Sequence, residues 1–206
     1  SFPTRRSSDL IVYVVHFALL PIYRLKVQGA EKIPEGAAVV CGNHTARVDA
    51  VVLFLALFLN GNRPAIIAKA ELFRNPIARW FFTYMGAFPV DRGKADLTAI
   101  KKALTVLKQG QKLIIFPEGT RVKEGMSGEA KSGAAMMAVR TGSPVLPVYI
   151  TPGRKAFRGC TVTFGDPFYL PKPEKGEHDP YKKGADQIME KIWEIGKSRG
   201  EATPRG

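Results

Sequence analysis

The sequence is short of cysteine and histidine, and this shortage excludes several kinds of site. Its 206 residues include two cysteines, Cys41 and Cys160, which belong to no CxxC pair, and three histidines, which are scattered. Structural zinc sites need closely spaced cysteines and histidines, and small secreted domains need several disulfides. We therefore expect no metal centre and no disulfide framework.

Acidic residues are also scarce. Lysine and arginine number 31 against 18 aspartates and glutamates, which gives a formal net charge of +13. A surface of this sign attracts nucleic acid, anionic lipid headgroups or phosphorylated substrates, although a solvated basic surface without a specific partner is the alternative. The aromatic residues cluster in apolar stretches such as RWFFTYMGAF (79–88) and do not alternate with basic ones. No nucleic-acid module fits, so we expect no nucleic-acid partner and favour a membrane interface.

No apolar run reaches the roughly 20 residues that a membrane-spanning helix needs. The apolar N-terminal stretch LIVYVVHFALLPIY (10–23) is shorter and contains a histidine and a proline. An interfacial helix, a core helix and the remnant of a longer anchor all fit it, and we expect a membrane-associating segment. Residues 1–9 differ in texture and are expected to be a non-native or disordered leader. Residues 24–199 are predicted to form one domain, and residues 200–206 a disordered tail.

Strand-like and helix-like patterns alternate along the rest of the chain. This alternation predicts a single α/β domain with a largely parallel sheet flanked by helices, and its ligands should lie beyond the strand ends. The predicted strands are 23–28, 37–41, 64–68, 86–90, 112–116, 144–150 and 160–164. The predicted helices follow residue 49 up to about 60, cover 73–85 with an interruption at the proline, 96–108 and 130–141, and begin again from 179.

A lone histidine and a lone aspartate lie between two very apolar runs in CGNHTARVDAVVLFLALF (41–58). If His44 lies in the loop before the helix, Asp49 in the first turn can reach back to its ring and fix the imidazole tautomer. The second ring nitrogen could then act as a general base. The alternative is a structural histidine that caps the helix. Thr45 is expected to be a helix N-cap and not a nucleophile.

Two loops and one lysine follow predicted strands and carry candidate anion-binding groups. FPEGTR (116–121) has Glu118 and Arg121 on either side of a glycine, and a turn with an internal ion pair is its alternative interpretation. GAFPVDRG (86–93) offers Arg92, which could instead form a surface salt bridge. Lys69 follows another strand, where such a lysine is more often simply solvated.

Other catalytic signatures are missing. The chain has no GxSxG serine elbow and no GxGxxG dinucleotide loop. GMSGEAKS (125–132) approaches the Walker A pattern, but alanine replaces its second glycine and the preceding strand ends too early. A nucleotide triphosphatase is therefore rejected, and a His–Asp pair without its own nucleophile would have to deprotonate a substrate hydroxyl.

Taken in order, four segments resemble the four blocks of the glycerolipid acyltransferases, most closely the PlsC-type 1-acyl-glycerol-3-phosphate acyltransferases. The resemblance spans about residues 23–168, and the segments that carry it are NHTARVD (43–49), GAFPVDRG (86–93), FPEGTR (116–121) and PVLPVYI (144–150). It implies the glycerol-phosphate acyltransferase-like fold over the domain at 24–199. It also implies transfer of a fatty acyl group to the sn-2 hydroxyl of lysophosphatidic acid, which gives phosphatidic acid.

The resemblance also implies roles for individual residues. His44 would be the general base and Asp49 would orient it, and the acceptor hydroxyl would attack the thioester without an acyl-enzyme. Acyl-CoA or acyl-carrier protein would be the co-substrate, with no other cofactor. The residues implied in holding the glycerol phosphate are Arg92, Glu118, Gly119, Thr120, Arg121 and, more weakly, Lys69.

The sequence departs from the family pattern at two places. Val122 stands where a serine usually follows FPEGTR, and EAKSGAA (129–135) keeps only Lys131 and Gly133 of a usual Phe-Lys-Lys-Gly run. Another lyso-lipid acceptor is therefore one alternative, and a non-catalytic basic membrane-binding module is the other. In each case the expected partner is an anionic phospholipid membrane, and the expected location is the cytoplasmic face of the cell membrane.

Overall fold

A computed structural model describes residues 24–91, 96–119, 129–152, 159–174, 176 and 178–201. The predicted leader and the apolar N-terminal segment, residues 1–23, lie outside these ranges. Within the described ranges, no helix combines the length and the apolar character that crossing a bilayer requires.

The described strands form one sheet. In chain order they are β1 (Leu25–Gln28), β2 (Ala38–Gly42), β3 (Ala65–Lys69), β4 (Ala87–Val90), β5 (Lys112–Ile115), β6 (Val145–Ile150) and β7 (Cys160–Phe164). Their spatial order is β1-β7-β6-β2-β5-β3-β4. The five strands from β6 to β4 are mutually parallel, whereas β7 pairs antiparallel to β6 and parallel to β1.

Five α-helices flank the described part of the sheet. They are α1 (Asp49–Leu59), α2 (Pro76–Tyr84), α3 (Leu97–Lys108), α4 (Gly133–Thr141) and α5 (Lys182–Ser198), and short 3₁₀ turns cover Ala30–Lys32 and Ala70–Phe73. The predicted α/β class, single domain and largely parallel sheet are confirmed. The helix predicted at 130–141 begins three residues late, because the Lys131 N–H donates to the Pro117 carbonyl and holds this segment against the loop after β5.

The sheet is covered on both faces, which explains why its central strand is apolar without alternation. All five residues of β2 are buried. Val39 and Cys41 pack among residues of α3, α4 and α5, whereas Ala38 and Val40 pack on the opposite face with α1. A helix that is apolar nearly all round must be buried, and α1 buries seven of its residues.

The parallel strands all end at one edge of the sheet, which we call the carboxyl edge. His44 follows β2, Lys69 is the last residue of β3, and Glu118 follows β5. Ligands of parallel α/β sheets bind beyond such an edge. The fold therefore brings these three predicted site residues to the same side of the molecule.

The described part of the chain continues for three residues past the end of α5. Gly200 and Glu201 are the first two residues of the predicted tail, and both lie within the described ranges. The Glu201 N–H donates to the Gly196 carbonyl at 3.1 Å, and its carboxylate accepts from Arg199 at 3.2 Å. Residues 202–206 lie outside the described ranges.

One packing contact of α5 yields a stability prediction. A Cβ added at Gly196 would lie 2.6 Å from the buried ring of Tyr149. We expect Gly196→Ala to lower the free energy of unfolding by about 1–3 kcal/mol, because overpacking outweighs the helix propensity that alanine adds. Urea denaturation measures this change.

The control is Gly133→Ala at the start of α4, where an added Cβ meets nothing within 4 Å. Its stability should be unchanged or slightly raised. Equal stability of the two variants would contradict the close packing of α5 on Tyr149.

Candidate active site

The loop between β2 and α1 holds the predicted histidine–aspartate pair. His44 lies in the loop and Asp49 is the first residue of α1, as the sequence predicts. His44 Nδ1 lies 3.2 Å from Asp49 Oδ2, within hydrogen-bond distance. In the tautomer that donates from Nδ1 to the carboxylate, Nε2 carries the lone pair that a general base needs.

The Asp49 carboxylate is completely buried and is surrounded by donors. Besides the imidazole, Oδ2 accepts from the backbone N–H groups of Thr45 at 2.7 Å and Ala46 at 2.8 Å. The positive end of the α1 dipole adds to this stabilisation. A buried carboxylate with these donors can stabilise positive charge on the imidazole when His44 takes up a proton.

The prediction that Thr45 caps the helix is wrong. The N-cap is Val48, and no side chain caps α1 from that position. The Asp49 carboxylate turns back to bind N–H groups of the loop before the helix. The Thr45 hydroxyl is buried and has no hydrogen-bond partner within the described residues.

The histidine ring is fixed on one face by an aromatic side chain. Phe116, the residue after β5, stacks on His44 with ring centroids 4.3 Å apart and planes inclined by 20°. The His44 side chain is 13% exposed, so its ring is largely enclosed and still reaches the surface. Packing and the Asp49 contact together limit the ring to one orientation.

Glu118 holds the backbone of the same histidine. Its Oε2 accepts from the His44 N–H at 3.1 Å, and its Oε1 has no hydrogen-bond partner among the described residues. Burial raises the pKa of Glu118 from 4.5 to about 7, an effect that the bond from His44 opposes. A carboxyl group that titrates near neutral pH therefore contacts the candidate base.

Several predicted binding residues lie outside the described ranges: Arg92, Thr120 and Arg121. The turn that leads to two of them is described, and Gly119 adopts a positive φ of 66°, which favours glycine. Lys69 lies on the carboxyl edge, two strands from β2, with its ammonium group 2.9 Å from Glu71. That exposed ion pair fits the solvated alternative interpretation of Lys69.

Asn43 was not predicted, and it fixes the loop from the other side. Its completely buried side chain donates to the Ile150 carbonyl at 2.8 Å and accepts from the Ile150 N–H at 2.7 Å. The amide thus continues the β2–β6 pairing past Gly42, where the backbone register ends. A polar residue between a buried strand and a candidate base was a usable signal, but its partner lies 107 positions away.

Comparison with protein families gives one match over most of the domain. The family model described as "Acyltransferase" matches residues 24–151. This range includes the histidine–aspartate pair, Asn43 and the loop around Glu118.

Curated relatives are similar over the same part of the chain. The chloroplastic 1-acyl-sn-glycerol-3-phosphate acyltransferase of Arabidopsis thaliana is 33% identical over 64% of this chain and 37% of its own length. Enzymes of that name from Borreliella burgdorferi and Bacillus subtilis are 34% and 32% identical, over 61% and 60% of this chain. The matches cover 50% and 60% of those two relatives. The chain therefore matches about two fifths to three fifths of the length of these relatives.

A solved structure has the same fold. The crystal structure of the 1-acyl-sn-glycerophosphate acyltransferase PlsC from Thermotoga maritima is similar with a TM-score of 0.68 and 24% identity. The comparison covers 98% of this chain and 86% of that one. It supports the α/β fold described above.

The two hydrogen bonds between the Asn43 side chain and the Ile150 backbone, which we call the Asn43 clasp, predict a stability change. Asn43→Ala removes both bonds to Ile150 and leaves a buried N–H and carbonyl without them, so we expect the free energy of unfolding to fall by roughly 2–4 kcal/mol. Asn60→Ala, which removes one bond to the Ala56 carbonyl near the end of α1, is the control and should cost less than about 1 kcal/mol. Equal losses in urea denaturation would refute the clasp.

The raised pKa of Glu118 predicts a pH-dependent difference. A carboxyl whose folded pKa is raised favours folding below pH 4.5, and that contribution is lost as the pH rises through about 7. Glu118→Gln keeps an acceptor for His44 and cannot ionise. Its stability relative to wild type should therefore increase by up to about 3 kcal/mol between pH 5 and pH 8.

The control for this measurement is Glu71→Gln. The hydrogen bond from Lys69 lowers the pKa of Glu71, so its titration lies below this pH window and its difference from wild type should stay flat. Urea denaturation at both pH values measures the two differences. A flat Glu118→Gln difference would show that burial does not disfavour the ionised carboxylate.

Proposed function

The chain belongs to the acyltransferase family, and we propose that it transfers a fatty acyl group from acyl-CoA or acyl-carrier protein to the sn-2 hydroxyl of 1-acyl-glycerol-3-phosphate. The product is phosphatidic acid. The observation that carries the proposal is the His44–Asp49 hydrogen bond at the carboxyl edge of the sheet. The names of the relatives support the choice of acceptor.

In the proposed reaction His44 is the general base. Its Nε2 takes the proton of the acceptor hydroxyl while the hydroxyl oxygen attacks the thioester carbonyl carbon. The tetrahedral intermediate collapses by breaking the carbon–sulfur bond, and the imidazolium returns the proton to the leaving thiolate. Protons and charges balance without a protein nucleophile or an acyl-enzyme.

Asp49 and Glu118 act on this base in different ways. The Asp49 carboxylate stabilises the imidazolium that forms during the reaction and keeps Nδ1 protonated. Glu118 holds the backbone N–H of the same histidine, and its loop continues into Thr120 and Arg121. We assign those two residues, with Glu118, Gly119 and Arg92, to the binding of the glycerol phosphate, and Lys69 to a weaker electrostatic contribution.

A second acceptor remains within the proposal because two sequence features depart from the family pattern. Val122 and the segment EAKSGAA (129–135) follow the proposed phosphate loop. The same proton transfer would serve another lyso-lipid. In either case we propose that the reaction takes place at the cytoplasmic face of an anionic membrane, where the basic surface attracts lipid and donor.

The proposal predicts a large effect of His44→Ala. Without a base, acyl transfer from acyl-CoA to lysophosphatidic acid should fall by at least about a hundredfold. Free CoA and phosphatidic acid are both measured, and acyl-carrier protein is tested as the second donor. His178→Ala serves as the control, because His178 precedes α5, which does not contribute to the histidine–aspartate loop.

The outcomes separate the candidate functions. CoA release with another lyso-lipid, and none with lysophosphatidic acid, would show that the acceptor is a different lipid and would leave the proposed mechanism unchanged. If no acceptor and neither donor supports turnover, the catalytic proposal is refuted and a basic membrane-binding module is the alternative.

A further inference from the structure

Helix α2 exposes large apolar side chains at the surface. Ile77 is 75% exposed and Trp80 is 55% exposed, and Leu72 in the preceding 3₁₀ turn is 43% exposed. We call these three side chains the α2 face. Phe81 and Phe82 instead pack against the core. The helix is thus fixed from inside while its outer face lies in solvent.

The α2 face lies at the carboxyl edge. Strand β3 ends there at Lys69, the 3₁₀ turn follows at once, and α2 begins three residues after that turn. Asn75 caps the helix by accepting from two backbone N–H groups, so its start is firmly held. The exposed apolar residues therefore lie at the carboxyl edge of the sheet, as His44 does.

A fourth exposed apolar residue lies at the same edge. Leu97, the first residue of α3, is 65% exposed, and it follows β4 as the α2 face follows β3. Among the described residues, four of the six exposed large apolar side chains thus follow the carboxyl ends of the two neighbouring strands β3 and β4.

The charge within the segment that carries the α2 face has one sign, and the neighbouring Glu71 is paired with Lys69 at 2.9 Å. Residues 72–90 contain no aspartate or glutamate and carry Arg74 and Arg79. Exposed leucine and isoleucine beside a tryptophan and arginines are typical of an element that lies in a membrane interface, where apolar groups enter the acyl region and cations meet anionic headgroups. An acidic protein partner would match the arginines but would not require the apolar protrusion.

We propose that the α2 face docks on the surface of an anionic lipid bilayer and places the carboxyl edge against the membrane. This inference rests on the proposed function, because a lipid acceptor must leave the bilayer and reach His44. Docking at α2 keeps that path short, since the exposed helix begins at the same edge as the base. Interfacial elements bury their apolar face by about 5–10 Å, and here the 3₁₀ turn supplies Leu72 while α2 supplies Ile77 and Trp80.

The test uses Trp80 as its own reporter. The chain has two tryptophans, and Trp193→Phe leaves Trp80 as the single one while keeping an aromatic ring on Tyr149. We expect the emission of this full-length variant to shift to shorter wavelength with vesicles of phosphatidylglycerol and phosphatidylcholine. Lipids brominated near the headgroup end of the chain should quench it more than lipids brominated near the chain end.

Two matched variants then measure binding. Leu72→Gln should weaken partitioning to these vesicles roughly tenfold. Leu59→Gln is the control, because Leu59 is similarly exposed at 40% but lies at the opposite end of α1, away from the carboxyl edge. Partitioning of the control should equal that of wild type, and pure phosphatidylcholine vesicles should bind every variant more weakly.

Three results would overturn the docking proposal. The first is Trp80 emission that vesicles do not change. The second is emission already at short wavelength without vesicles, which would mean that residues 10–23, or at high concentration a second copy of the chain, cover the face. The third is an equal loss of partitioning in Leu72→Gln and Leu59→Gln.

The docking result is separable from the proposed catalysis. Vesicle binding is measured in His44→Ala as well, and we expect Trp80 to be quenched as in the protein with His44. Quenching without turnover in any variant would refute the catalytic proposal and keep the docking surface. Turnover on vesicle-borne acceptor that Leu72→Gln leaves unchanged, with no quenching of Trp80, would keep catalysis and refute docking.

Discussion

The buried carboxylate of Asp49 is the constraint on which the site depends. It stands at the start of a helix that is apolar on nearly every side, where an uncompensated charge would be strongly destabilising. Two loop N–H groups, the helix dipole and the histidine ring compensate it. The loop between β2 and α1 therefore takes the path that these donors require, and His44 lies beside Asp49 as a consequence.

A second buried carboxyl group, that of Glu118, binds the backbone of the same histidine but accepts fewer hydrogen bonds. Asp49 accepts three hydrogen bonds through one oxygen, whereas Glu118 accepts one through Oε2 and its other oxygen meets none within the described residues. Burial therefore raises the pKa of Glu118 toward neutrality. One carboxylate orients the ring and the other holds the backbone, so the base is fixed at both ends.

The sequence predicts the architecture and the histidine–aspartate approach because both depend on local patterns. Strand and helix periodicity is readable, and a histidine just before a helix can reach an aspartate in its first turn. Sequence alone does not reveal the Asn43 bond to Ile150, the Phe116 stacking or the burial of Glu118, because their partners come from distant strands. Thr45 does not cap α1, because the helix begins only at Asp49, four residues later, beyond the reach of the threonine hydroxyl.

The two Asn43–Ile150 hydrogen bonds can form only after distant parts of the chain have come together. Its two residues are 107 positions apart, so the chain must close a long loop and pair β6 with β2 before the clasp exists. Until β6 has been synthesised and docked, the loop that carries His44 lacks this support. A nascent or truncated chain that ends before β6 therefore lacks the bonds that hold Asn43 and the start of the His44 loop.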